Sequence, residues 1–187
     1  MKELKSPLVI AIAGVSGGGK TTIVMRLMEQ LQKSKALFFD DYEFEGPDDV
    51  LEWVDRGSNH DEWNLASFNK DLEELLTESL DYILLDFPFA YQHSQTRELI
   101  DYTIFIDTPL DIALARRTVR DFKGSSVEEI MVQMEHYATQ GRRAYLEMLE
   151  TIKPDSDLVV EGTLSIGEIT NLIIEKCGRL NSDRRTI

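Results

Sequence analysis

Five short runs of apolar residues alternate along the chain with longer segments in which apolar residues recur every three or four positions. The runs cover residues 8–13, 36–39, 82–86, 102–107 and 157–161. Consecutive apolar, β-branched residues over this length are typical of strands buried on both faces of a parallel sheet. The alternation predicts an α/β fold, with a mostly parallel five-stranded sheet between two layers of helices.

The longer segments predict the helices, because their apolar residues form one stripe that can pack on the sheet. A proline starts one of these helices, and a capping box starts another. The predicted helices cover residues 21–33, residues 65–80, a segment from Pro109, residues 126–153 with a break near Gly141, and residues 166–177.

The length of 187 residues allows one sizeable core, and we interpret residues 1–187 as a single domain. Its core spans about residues 7–177, and the tail from Gly178 is expected to be frayed. The polar, irregular segment at about residues 42–64 is interpreted as an insert on the acceptor side. A lid is predicted at about residues 114–126.

The turn after the first predicted strand carries the clearest chemistry. Residues 14–21 read Gly-Val-Ser-Gly-Gly-Gly-Lys-Thr and satisfy G-x-x-x-x-G-K-T between a buried strand and a helix. Glycines let consecutive backbone N–H groups turn towards phosphate oxygens, and the helix N-terminus adds partial positive charge. A turn that is merely tight would not need lysine and threonine at these positions. The motif predicts that ATP is held by Gly14, Ser16, Gly17, Gly18, Gly19, Lys20, Thr21 and Thr22.

The hydroxyl of Thr21 is a predicted ligand of Mg²⁺, but one hydroxyl binds a metal weakly. Asp86, at the end of the third predicted strand, is the expected carboxylate partner. The alternative for Asp86 is a turn residue that ends the strand. Asp107 follows the fourth strand but precedes Thr108-Pro109, so it is interpreted as a helix start and left out of the site.

Transfer of a phosphoryl group to an alcohol needs a base that accepts the hydroxyl proton. Asp40, at the end of the second predicted strand, is the candidate, and Asp41 is its competitor. Neighbouring residues of an extended segment face opposite ways, so only one of the two can point at the phosphate. A turn pair without a catalytic role is the alternative.

Arg116, Arg117 and Arg120 cluster on one predicted helix of an acidic chain. Residues three or four positions apart share a helix face, so Arg120 can act with either of the others. We assign Arg116 and Arg120 to the charge that develops on the transferred phosphoryl group as a lid closes, and Arg117 to ATP. Salt bridges to Asp111 or Asp121 on a solvated helix are the alternative.

The irregular insert supplies the predicted contacts of the acceptor. Tyr42, Asp61 and Trp63 are assigned to that role together with Asp40. The alternative for the aromatic residues is local packing, and His60 alone is no evidence for a metal.

Charge and composition limit the kinds of partner that the protein is expected to bind. The formal net charge of −14 repels nucleic acids and anionic membranes. The longest apolar run, residues 8–15, is far shorter than the ~20 residues that span a bilayer, and Met1–Lys5 leads into a strand rather than a cleavage site. The single cysteine, Cys177, fits a reducing compartment. We therefore expect a cytoplasmic protein that binds a small molecule, and the sequence is compatible with a homo-oligomer.

Three strings resemble, in order and spacing, the uridine kinase and phosphoribulokinase superfamily, which includes the nicotinamide riboside kinases. They are Phe38–Tyr42, Asn59–Asn64 and Leu114–Asp121, and the resemblance spans about residues 8–175. The resemblance implies a three-layer αβα P-loop NTPase fold with a small helical lid and ATP with Mg²⁺ as cofactors. It also implies that Asp40 is the base and that the arginines of the third string belong to the lid.

Two departures from the family pattern leave the acceptor open. Asp86-Phe87 stands where uridine kinases tend to have Glu-Gly, and residues 60–63 do not reproduce the histidine, proline and aspartate pattern of the uridine-binding loop. The leading hypothesis is an ATP-dependent kinase of a nucleoside or another small hydroxylated metabolite. A regulatory ATPase that needs no acceptor and an inactive nucleotide-binding module are the alternatives.

Overall fold

The computed structural model describes residues 6–184, and within that range five parallel strands form one sheet. Their order across the sheet is β2-β3-β1-β4-β5. The predicted α/β fold with a parallel sheet is confirmed, whereas the expectations for Met1–Lys5 and for residues 185–187 lie outside the described residues. The strands are β1 (Leu8–Ala13), β2 (Ser34–Phe38), β3 (Tyr82–Asp86), β4 (Tyr102–Asp107) and β5 (Leu158–Glu161).

Helices fill the connections between the strands. Over residues 6–184 they are α1 (Lys20–Gln30), α2 (Val50–Asp55), α3 (Ala66–Leu76), α4 (Ser94–Arg97), α5 (Leu110–Asp121), α6 (Val127–His136), α7 (Arg142–Thr151) and α8 (Ile166–Asp183). A π-helical segment, Tyr137–Gly141, joins α6 to α7, so the predicted break near Gly141 is a widened helical turn. None of these helices is both long and apolar enough to cross a membrane.

Successive side chains of β1 alternate between the two faces of the sheet, and each face has its own core. On one face Ile12 shares a core with Leu27 of α1 and Ile173 of α8. On the other face Ala11 shares a core with Phe68 of α3. All of these side chains are buried. The unbroken apolar run of the first strand is therefore explained by helices on both faces.

The central position of β1 determines where a ligand can bind. β1 pairs with β3 on one side and with β4 on the other, so the chain order reverses across it. In open parallel sheets the crevice at such a reversal, beyond the carboxyl ends of the strands, receives the ligand. The glycine-rich turn and the side chain of Asp86 lie at this edge, each at the end of its strand.

The segment after β2 is more regular than predicted. β2 ends at Phe38, and Phe39–Asp41 form a 3₁₀ turn instead of a continued strand. The insert itself contains α2 and a second 3₁₀ turn, His60–Glu62. The short helices were missed because segments of three to six residues leave no helical period in the apolar pattern.

The last helix is longer than its periodicity predicts. α8 continues past Gly178, where a frayed tail was expected. Asn181 donates a 3.1 Å hydrogen bond to the hydroxyl of Tyr82, and Arg184 donates one of 2.8 Å to Asp101. These bonds attach the end of the helix to the sheet, so the expectation is wrong as far as residue 184.

The loop after β4 contacts both the glycine-rich turn and the loop after β5. The hydroxyl of Thr108, which is 1% exposed, donates a 2.9 Å hydrogen bond to the carbonyl of Gly18. Gly162 lies directly against Thr108, because a Cβ at position 162 would stand 2.0 Å from the threonine hydroxyl oxygen and 2.8 Å from its Cα. Position 162 therefore needs glycine for reasons of space.

We expect Gly162→Ala to lower the free energy of unfolding by about 1–3 kcal/mol, because the overlap with backbone atoms of Thr108 requires the loops to separate. Gly167→Ala is the matched control, since a Cβ there meets nothing within 4 Å. The control should be neutral or slightly stabilising, as alanine is favoured over glycine in a helix. Urea denaturation of both variants measures the difference, and equal midpoints would contradict the prediction.

Candidate active site

The turn between β1 and α1 depends on glycine at two positions. Gly17 (φ +81°) and Gly19 (φ +100°) adopt left-handed conformations that favour glycine. A Cβ on Gly17 would also stand 2.1 Å from the carbonyl oxygen of Ala113 in α5. The turn and α5 therefore meet backbone to backbone. At Gly19, in contrast, a Cβ would meet only Arg116, at 3.9 Å, so the turn stays open there towards the side where a phosphate group can contact its N–H groups.

Lys20 begins α1 and supplies a half-buried positive charge. Its Nζ donates a 3.4 Å hydrogen bond to the carbonyl of Val15, at the other end of the turn. Burial lowers the pKa of Lys20, while Asp86 and Asp40 act in the opposite direction. A phosphate group beside the ammonium would add negative charge and favour the charged form of the lysine.

Thr21 and Asp86, the predicted ligands of Mg²⁺, contact each other in the structure. The threonine hydroxyl donates a hydrogen bond of 2.5 Å to Oδ2 of Asp86, which is 5% exposed. Burial raises the pKa of Asp86, and the nearby Lys20 and the bond from Thr21 oppose that shift. A hydroxyl and a carboxylate are the kinds of oxygen ligand that Mg²⁺ prefers, so the residues present fit that ion.

Most of the residues predicted to bind the phosphates of ATP lie around one cavity of about 170 Å³ at the end of β1, which we call the phosphate cavity. Gly14 and Gly18 are placed beside it instead. A Cβ on Gly14 would stand 2.9 Å from the carbonyl of Ile106, and Gly18 is bonded to Val15 and Thr108. The cavity is lined by Ser16, Gly17, Gly19, Lys20, Thr21, Thr22, Asp40, Arg116 and Arg120.

The structure separates the two aspartates that follow β2. Asp40 lines the cavity, and its carboxylate raises the pKa of Lys20. Asp41 lies outside the cavity lining. Both belong to a 3₁₀ turn, so the expectation that they alternate as in an extended strand is wrong, although only one of them reaches the cavity.

The arginines of α5 point to two different places. Arg116 and Arg120 line the cavity of the glycine-rich turn. Arg120 also donates hydrogen bonds of 2.6 and 3.1 Å to Asp121, and this bonding raises its pKa, with a smaller contribution from Asp40. The salt bridge and the site role are therefore compatible for Arg120.

Arg117 was assigned to ATP, but its guanidinium lies elsewhere. It donates hydrogen bonds to Tyr145 and, at 3.3 Å, to Asp121. It lines a second cavity, of about 210 Å³, on the other side of α5. One residue along a helix rotates a side chain by about 100°, so neighbouring Arg116 and Arg117 cannot face the same space.

The second cavity lies between α2, α5 and the continuous helical stretch that runs from α6 through the π-helical segment into α7. Most of its lining is apolar, and the polar members are Arg117, Thr118, Gln133 and His136. The sequence interpretation missed this cavity, because its walls come from three separated segments that share no motif. The apolar lining is formed by Val50, Leu51, Leu114, Phe122, Met134, Tyr137, Gly141 and Ala144.

The insert residues predicted to contact the acceptor are occupied by contacts within the protein. The hydroxyl of Tyr42 donates a 2.7 Å hydrogen bond to Asp71, and burial is the largest cause of its raised pKa. Asp61 accepts a 2.7 Å hydrogen bond from the backbone N–H of Ser94, which is the main cause of its lowered pKa. The ring of Trp63 lies so close to Gly46 that a Cβ there would be 2.7 Å away.

The aromatic residues of the insert pack together as an aromatic insert core, which is continuous with the core on the α3 face of the sheet. Trp63 contacts Phe89 and Trp53 at ring-centroid distances of 5.6 and 6.4 Å. His60, which is 6% exposed, lies edge-on to Trp53 and Phe89 at 5.0 and 4.9 Å. For Trp63, local packing therefore describes its position better than direct exposure to a ligand.

No family model matches the chain. The chain is 30% identical to the uridine kinase of Borrelia duttonii in an alignment of 178 positions that covers 81% of this chain and 85% of that protein. Its structure is similar to that of a gluconokinase from Sinorhizobium meliloti, with a TM-score of 0.58 and 15% sequence identity over 97% of this chain and 98% of the gluconokinase. It is also similar to the deoxyadenosine kinase of M. mycoides, with a TM-score of 0.55 and 18% identity over 91% of this chain and 99% of that kinase. The predicted three-layer αβα P-loop fold is confirmed.

Burial lowers the pKa of His60 to about 4 from its ordinary value of 6.5. The unfolded chain therefore binds more protons than the folded chain between these values, and stability is lost as the pH falls through that interval. The expected loss by pH 4 is about 3 kcal/mol. His60→Phe keeps a ring against Trp53 and Phe89 but cannot titrate, so its urea midpoint should fall less between pH 7 and pH 4.5. Parallel profiles for the two proteins would contradict this assignment.

Proposed function

Because the chain belongs to the uridine kinase family of P-loop kinases and is a small-molecule kinase, we propose that it transfers the γ-phosphoryl group of ATP to a hydroxyl of a nucleoside or a related ribosyl compound. One observation carries the proposal: Asp40, Lys20 and Arg116 converge on the same cavity at the glycine-rich turn. A carboxylate facing cations at a phosphate site has an evident use when an alcohol is the acceptor.

In the proposed reaction the acceptor oxygen forms a bond to the γ-phosphorus, and the bond from that phosphorus to the β–γ bridging oxygen breaks. Asp40 accepts the proton of the attacking hydroxyl. Lys20, Arg116 and Arg120 stabilise the negative charge on the transferred group and on the departing ADP. Each of these side chains already lines the cavity, so little reorganisation is required of them.

We propose Thr21 and Asp86 as the residues that hold Mg²⁺. Their oxygen atoms are 2.5 Å apart, and the carboxylate is held beside Lys20. When bound, Mg²⁺ neutralises charge on the outer phosphates and polarises the phosphorus for attack. Because burial disfavours the charged form of Asp86, a cation there would restore it and would bring its pKa down.

In this proposal the acceptor extends from the second cavity to Asp40, because Arg117 lies between the two cavities. The Cβ of Arg117 lies 3.2 Å from where a Cβ on Gly17 would stand, while its guanidinium lines the second cavity. Apolar walls with a few polar groups are typical of sites for small organic ligands. Leu114 and Met134 suit the face of a planar base, and Gln133 can donate and accept hydrogen bonds at its edge.

The first test is ADP release from Mg²⁺-ATP across uridine, cytidine, nicotinamide riboside, pantothenate, ribulose 5-phosphate and simple sugars. Stimulation by a nucleoside or another ribosyl compound is the expected result. Stimulation only by a compound without a ribosyl group would overturn the proposed acceptor class. Release that is independent of every acceptor would favour a regulatory ATPase.

Asp40→Asn should lower the acceptor-stimulated rate by ~10²-fold or more, because the proton loses its acceptor, while ATP affinity stays nearly unchanged. Asp41→Asn is the matched control, one residue away and outside the cavity lining. It should keep a rate near that of the unmodified protein. Steady-state kinetics and ATP titration measure both effects, and equal losses in the two variants would remove Asp40 from the role of base.

Arg117→Ala and Arg116→Ala should change different kinetic parameters. The first removes a polar wall of the second cavity, so the KM for the acceptor should rise about tenfold with the KM for ATP little changed. The second removes a cation from the phosphate cavity and should mainly lower kcat, by ~10²-fold. A rise in the KM for ATP alone in Arg117→Ala would instead support the original assignment of Arg117 to ATP.

A further inference from the structure

His93 is enclosed where the connection after β3 meets the insert, and it was not singled out in the sequence. Its side chain is 3% exposed. Nε2 lies 3.1 Å from the backbone carbonyl of Trp63. Nδ1 accepts a 3.3 Å hydrogen bond from the backbone N–H of Thr96 and lies 2.8 Å from the hydroxyl of the same threonine. Both ring nitrogens of His93 are therefore engaged.

The partners of His93 determine its tautomer. A backbone N–H can only donate, so Nδ1 next to Thr96 carries the lone pair. A carbonyl oxygen can only accept, so Nε2 next to Trp63 carries the proton. The hydroxyl of Thr96 donates its single proton to the side-chain oxygen of Asn69 in α3 at 2.8 Å, so the bond that Nδ1 accepts from Thr96 is the one from the backbone N–H. A buried polar chain thus extends from the insert through His93 to α3.

The segment that carries His93 grips the insert at a second point. The backbone N–H of Ser94 donates a 2.7 Å hydrogen bond to Oδ1 of Asp61, and that oxygen is 4.0 Å from Nε2 of His93. Asp61 and Trp63 belong to the same short stretch around the 3₁₀ turn His60–Glu62. Two adjacent residues of one segment therefore hold this stretch in place.

Trp63 connects this stretch with the segments that line both cavities. Its ring lies 6.3 Å from that of Phe39. Phe39 directly precedes Asp40, and Asp40 lines the phosphate cavity. The ring of Trp63 also lies 6.4 Å from that of Trp53 in α2, and α2 supplies Leu51 to the second cavity. Because packed aromatic cores deform little, a shift of Trp63 would be felt at both places.

We propose that His93 is a positioning residue, which holds the backbone of Trp63 and, through the ring contacts of Trp63 with Phe39 and Trp53, the positions of Asp40 and of α2. The inference rests on the proposed function for the role of the acceptor, but the contact with Trp63 can be tested without any acceptor. His93 touches neither reacting group and acts through the aromatic core of the insert.

Two near-isosteric substitutions separate the two nitrogens of His93. His93→Asn retains an oxygen near the position of Nδ1, which can still accept from Thr96, but it does not reach Trp63. His93→Gln places an N–H donor near the position of Nε2 and can rescue the bond to Trp63. We expect kcat/KM for the acceptor to fall by about 10- to 100-fold in His93→Asn and to recover substantially in His93→Gln, with ATP affinity within about twofold in both.

The intrinsic fluorescence of the chain gives a readout that does not depend on activity. Both tryptophans, Trp53 and Trp63, belong to the insert core. His93→Asn should therefore show red-shifted emission and stronger acrylamide quenching, and His93→Gln should resemble the unmodified protein. ATP binding, measured by titration on the same samples, should be unchanged.

The outcomes distinguish the positioning role from the proposed function. Unaltered fluorescence and acceptor kinetics in His93→Asn would overturn the positioning role, as would parallel losses of ATP binding and thermal stability in both variants. A panel in which no acceptor stimulates the unmodified protein would overturn the proposed function alone, since fluorescence would still decide whether His93 holds Trp63.

Discussion

The backbone contact between the glycine-rich turn and α5 is the constraint on which the site depends. Gly17 approaches the carbonyl of Ala113 so closely that no side chain fits between them. The contact puts the first turns of α5 beside the turn, and α5 carries all three arginines of the cluster. One close approach therefore determines both which arginines face the phosphate cavity and which one faces the second cavity.

The charges of the site differ from those of the chain as a whole. A net charge of −14 would repel a nucleotide at long range, but the cavity gathers one lysine and two arginines within a small volume. Asp86 and Asp40 lie among these cations, and burial shifts the pKa values of Asp86 and Lys20 in the directions that favour their neutral forms. Bound phosphate and metal would reverse both tendencies, so the charged ligands complete an electrostatic arrangement that the protein leaves partly unbalanced.

The insert extends the core on the α3 face of the sheet with a group of aromatic rings. Its rings connect the residue before Asp40 with α2 and with the segment after β3. Buried polar contacts of His93 and Thr96 attach that core to α3. The cost of burying these polar groups is offset by their hydrogen bonds, which therefore favour the arrangement in which the insert meets α3. Residues far from the phosphates can thereby influence the geometry of the acceptor side.

The periodicity of the sequence was sufficient for the strands, the two-sided packing and the glycine-rich turn, because these follow from local preferences and from the burial of a continuous apolar run. It was also sufficient to gather Lys20, Thr21 and Asp86 at one edge of the sheet, since the ends of parallel strands meet there. The periodicity did not predict the short helices of the insert or the length of α8, because contacts between distant residues stabilise them.

Only the tertiary structure decided the finer placement of the side chains. Arg116 and Arg117 are equivalent in composition and adjacent in sequence, and the angle at which α5 packs on the turn sends them into different cavities. Trp63 could equally have faced a ligand, but its ring packs against Gly46 and Phe89. His93 gains its role from partners that lie 30 residues before it and three after it. Such contacts depend on long-range packing, for which a single sequence carries no periodic signal.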